Sequence, residues 1–191
     1  MYLLFDIKLL IASFDMDVWI RLSYIDDEFK QFSFKEGRKI FINLFTVIEE
    51  TKNCITWKIF DIMHSFDDKP ARIDSKGQKW WFKNGKIHRN NDLPAITNPN
   101  GLLSWYKNGR LHRDNDLPAI TNPNGSLSWY KNGVYHRDND LPAHINKNGS
   151  QYWYKNGKLH RDDPSGKKPA IIYKSGNCAW YKNGQMYTPI K

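Results

Sequence analysis

A tryptophan that returns every 24 residues is the dominant feature of this 191-residue chain. An internal period of this length indicates a repeat architecture in which each unit packs against its neighbours. The interval lengthens to 27 only at the last step, where residues 162–169 hold three additional positions. The tryptophans that begin the six units are Trp57, Trp81, Trp105, Trp129, Trp153 and Trp180.

Asn-Gly pairs follow the last five of these tryptophans at a constant distance, histidines follow the first five, and prolines lie thirteen residues after the first four, so the first and last units are degenerate. Asn-Gly favours a two-residue type I′ hairpin, because both residues tolerate positive φ. With this loop, Trp105 faces His112 and Tyr106 faces Leu111 across the hairpin. Tyr187 replaces the histidine of the last unit. The histidines are His64, His88, His112, His136 and His160, and the hairpin glycines are Gly85, Gly109, Gly133, Gly157 and Gly184.

A second turn signal in each unit, for example at Gly101 and Gly125, leads us to expect two short strands per unit. Six hairpins side by side would give ~12 strands spaced ~4.8 Å apart. We therefore predict a mainly β fold, an elongated antiparallel β-hairpin repeat array that forms a single meandering sheet. Its six repeats of about 24 residues occupy residues 57–191.

Residues 1–56 do not repeat, and their apolar positions have helical spacing. This pattern predicts helices over residues 16–34 and 36–50, which together form a small N-terminal helical cap. Such a cap would cover the exposed edge of the first hairpin.

The formal net charge of +9 belongs to the repeats. Residues 1–80 hold 12 Lys and Arg against 13 Asp and Glu, and residues 81–191 hold 17 against 7. The cations recur in register, which is typical of a surface that binds a polyanion. The alternative is a solvated edge whose charge is muted by nearby Asp92, Asp116 and Asp140. The candidate binding residues are Lys83, Arg89, Lys107, Arg113, Lys131, Arg137, Lys155 and Arg161.

Catalytic and metal-binding patterns are absent from the sequence, so we expect neither an enzyme nor a cofactor. Equivalent histidines would lie ~9.5 Å apart, too far to share one metal ion. The tryptophan row has two interpretations, a structural core or a platform that stacks nucleic-acid bases, and we favour the core. The repeated Asp-x-Asp pairs, such as Asp114 with Asp116, are interpreted as turn formers that alternatively pair with the neighbouring Arg.

Two cysteines, Cys54 and Cys178, are too few for a disulfide framework and indicate a reducing, intracellular compartment. The apolar start of the chain lacks the features of a signal peptide, and no apolar stretch is long enough to predict a transmembrane segment.

The string W-Y-K-N-G-K-L-H resembles the core of the MORN repeat, over about residues 57–187. It is closer to a variant, W-Y-x-N-G-x-x-H-R-x-x-x-x-P-A, that resembles arrays in proteins of large DNA viruses, phages and some bacteria. This chain departs from MORN in having Arg, for example Arg89 and Arg113, where a typical unit has Gly. The string D-M-D-V-W-I-R-L-S-Y-I-D-D-E-F faintly resembles the start of an F-box, which would imply docking to a ubiquitin-ligase adaptor.

The resemblance implies a binding or scaffolding module. We therefore expect a non-enzymatic repeat scaffold that mediates protein–protein interaction, in the host cytoplasm or the virion if the chain is viral. The alternative is binding of anionic lipid or nucleic acid through the repeated Lys/Arg row. End-to-end self-association is a further expectation, because the ends of a repeat array carry sheet edges.

Overall fold

The computed structural model describes residues 46–59 and 62–189. These residues belong almost entirely to one compact unit, which comprises Ile48–Lys58 and Ile62–Lys191. The predicted helix over 16–34 and the F-box-like string lie outside the described residues, as does most of the second predicted helix. The described end of that second helix, residues 46–50, forms a strand instead. Its run of β-branched Thr, Val and Ile residues favours this conformation.

The described residues are all in strands, turns and connecting segments, and every register that can be assigned is antiparallel. The strands are β1 (Thr46–Thr51), β2 (Cys54–Ile59), β3 (Ile62–Met63), β4 (Arg72–Asp74), β5 (Lys79–Trp80), β6 (Phe82–Lys83), β7 (Lys86–Ile87), β8 (Ile96–Thr97), β9 (Leu103–Ser104), β10 (Tyr106–Lys107), β11 (Arg110–Leu111), β12 (Ile120–Thr121), β13 (Leu127–Ser128), β14 (Tyr130–Lys131), β15 (Val134–Tyr135), β16 (His144–Ile145), β17 (Gln151–Tyr152), β18 (Tyr154–Lys155), β19 (Lys158–Leu159), β20 (Ile171–Ile172), β21 (Cys178–Lys182) and β22 (Gln185–Tyr187).

Fourteen of these strands form one main sheet that meanders in chain order. The order is β1-β2-β4-β5-β8-β9-β12-β13-β16-β17-β20-β21-β22, and β3 pairs with β2. Within this sheet Ile120 faces Ser104 on one side and Ser128 on the other, so each repeat bonds directly to the next. The predicted mainly β, meandering repeat sheet is confirmed, and it begins before residue 57.

The expectation of two strands per repeat is wrong, because a complete internal repeat contributes four. In the repeat over residues 105–128, β12 and β13 join the main sheet while β10 and β11 form a separate Asn-Gly hairpin. The Asn-Gly hairpins β6–β7, β10–β11, β14–β15 and β18–β19 are therefore not the strands of the main sheet. The predicted hairpin register is confirmed, with Tyr106 opposite Leu111 and Lys107 opposite Arg110.

A third turn in each repeat, absent from the sequence prediction, sends the chain from the hairpin back to the main sheet. Asn115 and Asp116 have φ values of 59° and 53°, and the N–H of Leu117 bonds to the carbonyl of Asp114. Two successive residues with positive φ are the signature of a type I′ turn. This turn separates the hairpin strands from the sheet strands and so doubles the number of strands.

The core of the array is built from the repeated tryptophan and from an alanine after the repeated proline. Trp105 is only 7% exposed and Ala119 is fully buried, and the N–H of Trp105 bonds to the carbonyl of Ala119 at 2.8 Å. The opposite face of the same hairpin, which carries Tyr106 and Leu111, is half-buried. The face that carries the tryptophan is therefore the more deeply buried of the two. The same burial recurs at Trp81, Trp129 and Trp153 and at Ala71, Ala95, Ala143 and Ala170.

Candidate functional site

In four of the repeats, the residue after the histidine is an arginine that bonds to the preceding repeat. Arg113 donates two hydrogen bonds of 2.8 Å, from Nε and Nη2, to the carboxylate of Asp92 in the preceding repeat. Its third nitrogen, Nη1, donates to the carbonyl of Pro118 at 3.3 Å. The guanidinium lies 3.8 Å from the ring centre of Trp105, and only 15% of the side chain is exposed. A bidentate ion pair and a stacked cation thus meet in one side chain.

This contact recurs at four successive junctions, where a junction means the set of contacts between one repeat and the next. At each of them the tryptophan indole N–H also donates to the backbone carbonyl of the same aspartate, at 2.9 to 3.0 Å. The hydrogen bond from Arg113 lowers the pKa of Asp92, and Arg89 and Arg161 do the same for Asp68 and Asp140. The Arg–Asp pairs are Arg89–Asp68, Arg113–Asp92, Arg137–Asp116 and Arg161–Asp140.

The histidine contributes a second contact across each junction. Nδ1 of His112 accepts the backbone N–H of Asn132 in the next repeat at 3.1 Å, and its Nε2 lies 2.9 Å from the carboxylate of Asp114. Because Nδ1 accepts a hydrogen bond, the network assigns the proton to Nε2, which donates to the carboxylate. These histidines therefore have a structural role, and the Trp–His pairing predicted from the hairpin register agrees with the bond from the N–H of His112 to the carbonyl of Trp105.

In three of the repeats, the lysine before the Asn-Gly pair is bonded to an aspartate of its own repeat. Nζ of Lys107 lies 3.0 Å from the carboxylate of Asp114, which also faces His112. Hydrogen bonds from His112 and then Lys107 lower the pKa of Asp114. The same arrangement joins Lys131 to Asp138 and Lys155 to Asp162.

The eight predicted binding residues are thus unequal in the structure. All four arginines and three of the four lysines are in ion pairs with aspartates. Lys83 differs because Asn90 stands where the later repeats have Asp, and Lys83 has no ion pair with any described residue. For seven of these eight residues, the structure shows pairing with a nearby aspartate. This pairing is the alternative that the sequence offered to a surface that binds a polyanion.

The hairpins stack through their glycines. The N–H of Gly133 donates to the carbonyl of Leu111 in the preceding hairpin at 2.8 Å. A Cβ built on Gly133 would lie 3.7 Å from the Cβ of Arg110, so the stem of Arg110 covers the glycine of the next hairpin. Lys86 covers Gly109 in the same manner.

Three cations that the sequence prediction missed lie directly after a hairpin glycine. The four internal residues at this position form what we call the tip column, which consists of Lys86, Arg110, Val134 and Lys158. All four side chains are exposed, and its three cations have no ion pair with the residues that the structure describes. The available signal was the hairpin register, which places Arg110 directly opposite Lys107.

A cleft of about 320 Å³ lies between the repeats that begin at Trp81 and Trp105. Its lining includes both Arg113 and Asp92, so one wall of the cleft is the ion pair that holds the junction. Lys107 and Asp114 also line it and neutralise each other. The cleft is therefore a polar groove of mixed charge.

A polar cluster in the third and fourth repeats breaks the repeat pattern. His144 stands where three other repeats have Ile96, Ile120 and Ile171, and its Nδ1 lies 2.9 Å from the hydroxyl of Ser128. Ser128 is 6% exposed, and the equivalent Ser104, which faces no histidine, is equally buried. Burial lowers the pKa of His144 and, with the neighbouring Tyr135, raises that of Tyr130. The ring of Tyr135, in hairpin strand β15, lies edge-on to the ring of His144, with 6.0 Å between the ring centres.

The loop over residues 162–169 replaces the aspartate turn at the last complete junction. Asp163 accepts the backbone N–H of Lys168, and this bond and others lower its pKa to about 2. Nζ of Lys168 reaches back to Asp140 at 2.7 Å. Lys167 stands where the other junctions have Asp, and Thr188 stands where they have Arg. Both the arginine and the aspartate of the ion pair are therefore absent from this junction, which indicates that the two residues act together.

Among residues 46–59 and 62–189, three or more His, Cys, Asp or Glu side chains nowhere converge as a metal site. The same residues contain no helix with the length and hydropathy needed to cross a bilayer.

Comparison with known proteins gives no match: no family model, no curated protein and no solved structure matches the chain.

Proposed function

We propose that this protein is a non-enzymatic repeat scaffold that mediates protein–protein interaction. The observation that carries the proposal is the junction itself. Four successive junctions use the same arginine, aspartate, tryptophan and histidine contacts, which makes a regular platform out of residues that recur. Side chains that the platform does not use then stand outside it at constant intervals. The likeness of the motif to MORN arrays agrees with a scaffold.

Exposed apolar side chains at equivalent positions support a protein partner. Leu93, Leu117 and Leu141, which follow the third turn, are 37 to 39% exposed. Apolar groups repeated on a surface contribute to recognition of another protein and nothing to attraction of a phosphate backbone.

Binding of anionic lipid or nucleic acid through the Lys/Arg row has less support. Seven of the eight cations in that row are paired with carboxylates of this chain. Four of the six repeat tryptophans, Trp81, Trp105, Trp129 and Trp153, are only 5 to 7% exposed and present no face on which bases stack.

Selection of displayed random peptides on the immobilised full chain tests the scaffold proposal. We expect enriched sequences that bind the folded protein in solution and fail to bind the same protein after heat denaturation. A DNA duplex and vesicles of phosphatidylserine serve as the competing ligands. The proposal is wrong if no peptide is enriched, or if duplex or vesicle binds more tightly, with an affinity that falls steeply between about 50 and 200 mM salt.

A further inference from the structure

The tip column carries charge that the fold does not need. Across the hairpins, Lys83 faces Lys86, Lys107 faces Arg110, and Lys155 faces Lys158. Like charges directly opposite each other destabilise a hairpin. Their recurrence at three hairpins therefore needs a reason outside the stability of the array.

Internal aspartates neutralise only one side of these pairs. Lys107 and Lys155 bond to Asp114 and Asp162, whereas Arg110 and Lys158 bond to no acid among the described residues. Both members of the first pair, Lys83 and Lys86, are without an acid partner in that part of the chain. The uncompensated positive charge is therefore concentrated on the tip column and on the first hairpin.

The stems of the tip column lie over the next hairpin, although the side chains as a whole are exposed. Each member covers the glycine of the following hairpin, and a Cβ on that glycine would lie 3.4 to 3.8 Å from the Cβ of the side chain above it. A packed stem limits the rotamers available to a long side chain, so less conformational entropy is lost on binding. The column is thus a prearranged row of cations with one apolar member, Val134, which is 42% exposed.

The spacing of the column fits an extended peptide. Each repeat advances by two strands of the main sheet, or ~9.6 Å. A polyproline II segment places every third residue on the same side at intervals of ~9.3 Å. A nucleic-acid strand instead carries a phosphate every ~3.4 Å of axis, about three times as dense as the column.

We propose that the tip column binds an extended acidic peptide segment, with carboxylates on every third residue opposite Lys86, Arg110 and Lys158 and an apolar residue opposite Val134. This inference rests on the proposed scaffold function and assigns a surface and a partner chemistry to it. The partner is a protein segment rich in Glu or Asp that does not fold alone, because only an extended chain keeps the three-residue interval.

The probe is the peptide Glu-Pro-Pro-Glu-Pro-Pro-Leu-Pro-Pro-Glu-Pro-Pro, labelled with fluorescein and titrated with the full chain. The triple variant K86Q/R110Q/K158Q removes three free cations from the tip column. Its matched control, K147Q/K167Q/K174Q, removes three exposed lysines elsewhere and changes the net charge equally. We expect the tip variant to lose about tenfold in affinity and the control to change by less than about twofold. Thermal melting of both variants shows that the fold is unchanged.

A gain-of-affinity arm tests the apolar position. V134K should strengthen binding of a second peptide in which Glu replaces the Leu, and weaken binding of the original peptide. A peptide of the same composition with its three Glu residues adjacent should bind more weakly than the spaced one to the natural chain.

Three results would overturn the inference. They are equal losses in the tip and control triples, equal binding of spaced and clustered peptides, and tighter binding of a DNA duplex or phosphatidylserine vesicle than of the spaced peptide. If displayed peptides are enriched but are not acidic, the scaffold proposal survives and the tip column is not its binding surface.

Discussion

The repeated arginine shows how misleading a count of charges is when the partners of each side chain are unknown. In sequence, Arg113 is one of several cations that recur in register. In the structure it forms an ion pair with Asp92, stacks on Trp105 and donates to the carbonyl of Pro118, so most of the side chain is buried. Arg110, three residues earlier, is exposed and forms no ion pair with the residues that the structure describes.

These two arginines supply a matched pair of variants. R113A removes the ion pair, the stacking contact and a backbone hydrogen bond, so we expect a loss of about 2 kcal/mol in the free energy of unfolding. R110A should change it by less than about 0.5 kcal/mol, because an exposed side chain without partners contributes little. R113K should recover only part of the loss, since lysine has no planar fork. Urea denaturation followed by tryptophan fluorescence measures all three, and equal losses for R113A and R110A would contradict the assignment.

Acid should destabilise the array through its aspartates. The pKa values of Asp92, Asp114 and Asp138 are lowered in the folded state by hydrogen bonds from Arg113, His112 and His136, respectively. A folded-state pKa below the unfolded value contributes stability that is present above the unfolded pKa and is lost as the pH falls through the folded one. We therefore expect the melting temperature to decline below about pH 4, the ordinary range of Asp.

The variant D92N isolates one junction in this experiment. It should melt at a lower temperature than the natural chain at neutral pH and lose less on acidification. A melting temperature that stays constant from pH 5 to the lowest pH tested would refute the argument.

At the scale of strands and turns, the turn-forming residues were sufficient to predict the hairpins. They were not sufficient to predict the separate strands that form the main sheet. Asn108-Gly109 demands positive φ at both positions, and that requirement alone places Tyr106 opposite Leu111. The third turn, at Asn115-Asp116, has no glycine, and Asn and Asp are common in many loops, so its type I′ geometry carries no comparably strong signal. The pairing of β9 with β12 links neighbouring repeats and depends on that turn.

The hairpin glycines give a test of this local argument. Gly133 has a φ of 93°, and G133V would place a β-branched residue in that conformation. We expect a loss of about 2 kcal/mol or more from backbone strain, because a Cβ there meets Arg110 only at ordinary van der Waals distance. The control is V134A at the exposed neighbouring position, which should be close to neutral. Hydrogen exchange should show the loss concentrated in β14 and β15, and uniform loss of protection throughout the array would count against a local turn defect.

For the whole molecule, the 24-residue period was sufficient to predict a row of equivalent units. The interchangeability of those units follows from the junctions. Arg137 bonds to Asp116, and Arg113 bonds to Asp92 in the same geometry. What the period could not reveal is the function, because it constrains the residues that hold the array together and says nothing about those left free.

Deletion of one complete unit tests this modularity. Removing residues 105–128 should bring Arg137 to Asp92 and leave a folded array with an unchanged β signal per residue and a lower melting temperature. Removing residues 105–116, half of a unit, should abolish cooperative unfolding. The shortened repeat would keep its buried alanine and lose the tryptophan that packs with it. Circular dichroism compares the two deletions, and equal behaviour would show that the period does not define the folding unit.

The junctions also have a direction. In the contacts of Arg113, the indole of Trp105, the N–H of Gly109 and the N–H of Asn108, the later repeat donates and the earlier repeat accepts. In these contacts each unit donates to its predecessor and accepts from its successor, whereas the antiparallel pairing of β9 with β12 has no such direction. Two copies of the chain that met through such surfaces would join unlike ends, a head-to-tail geometry that produces rings or filaments and not a symmetric dimer.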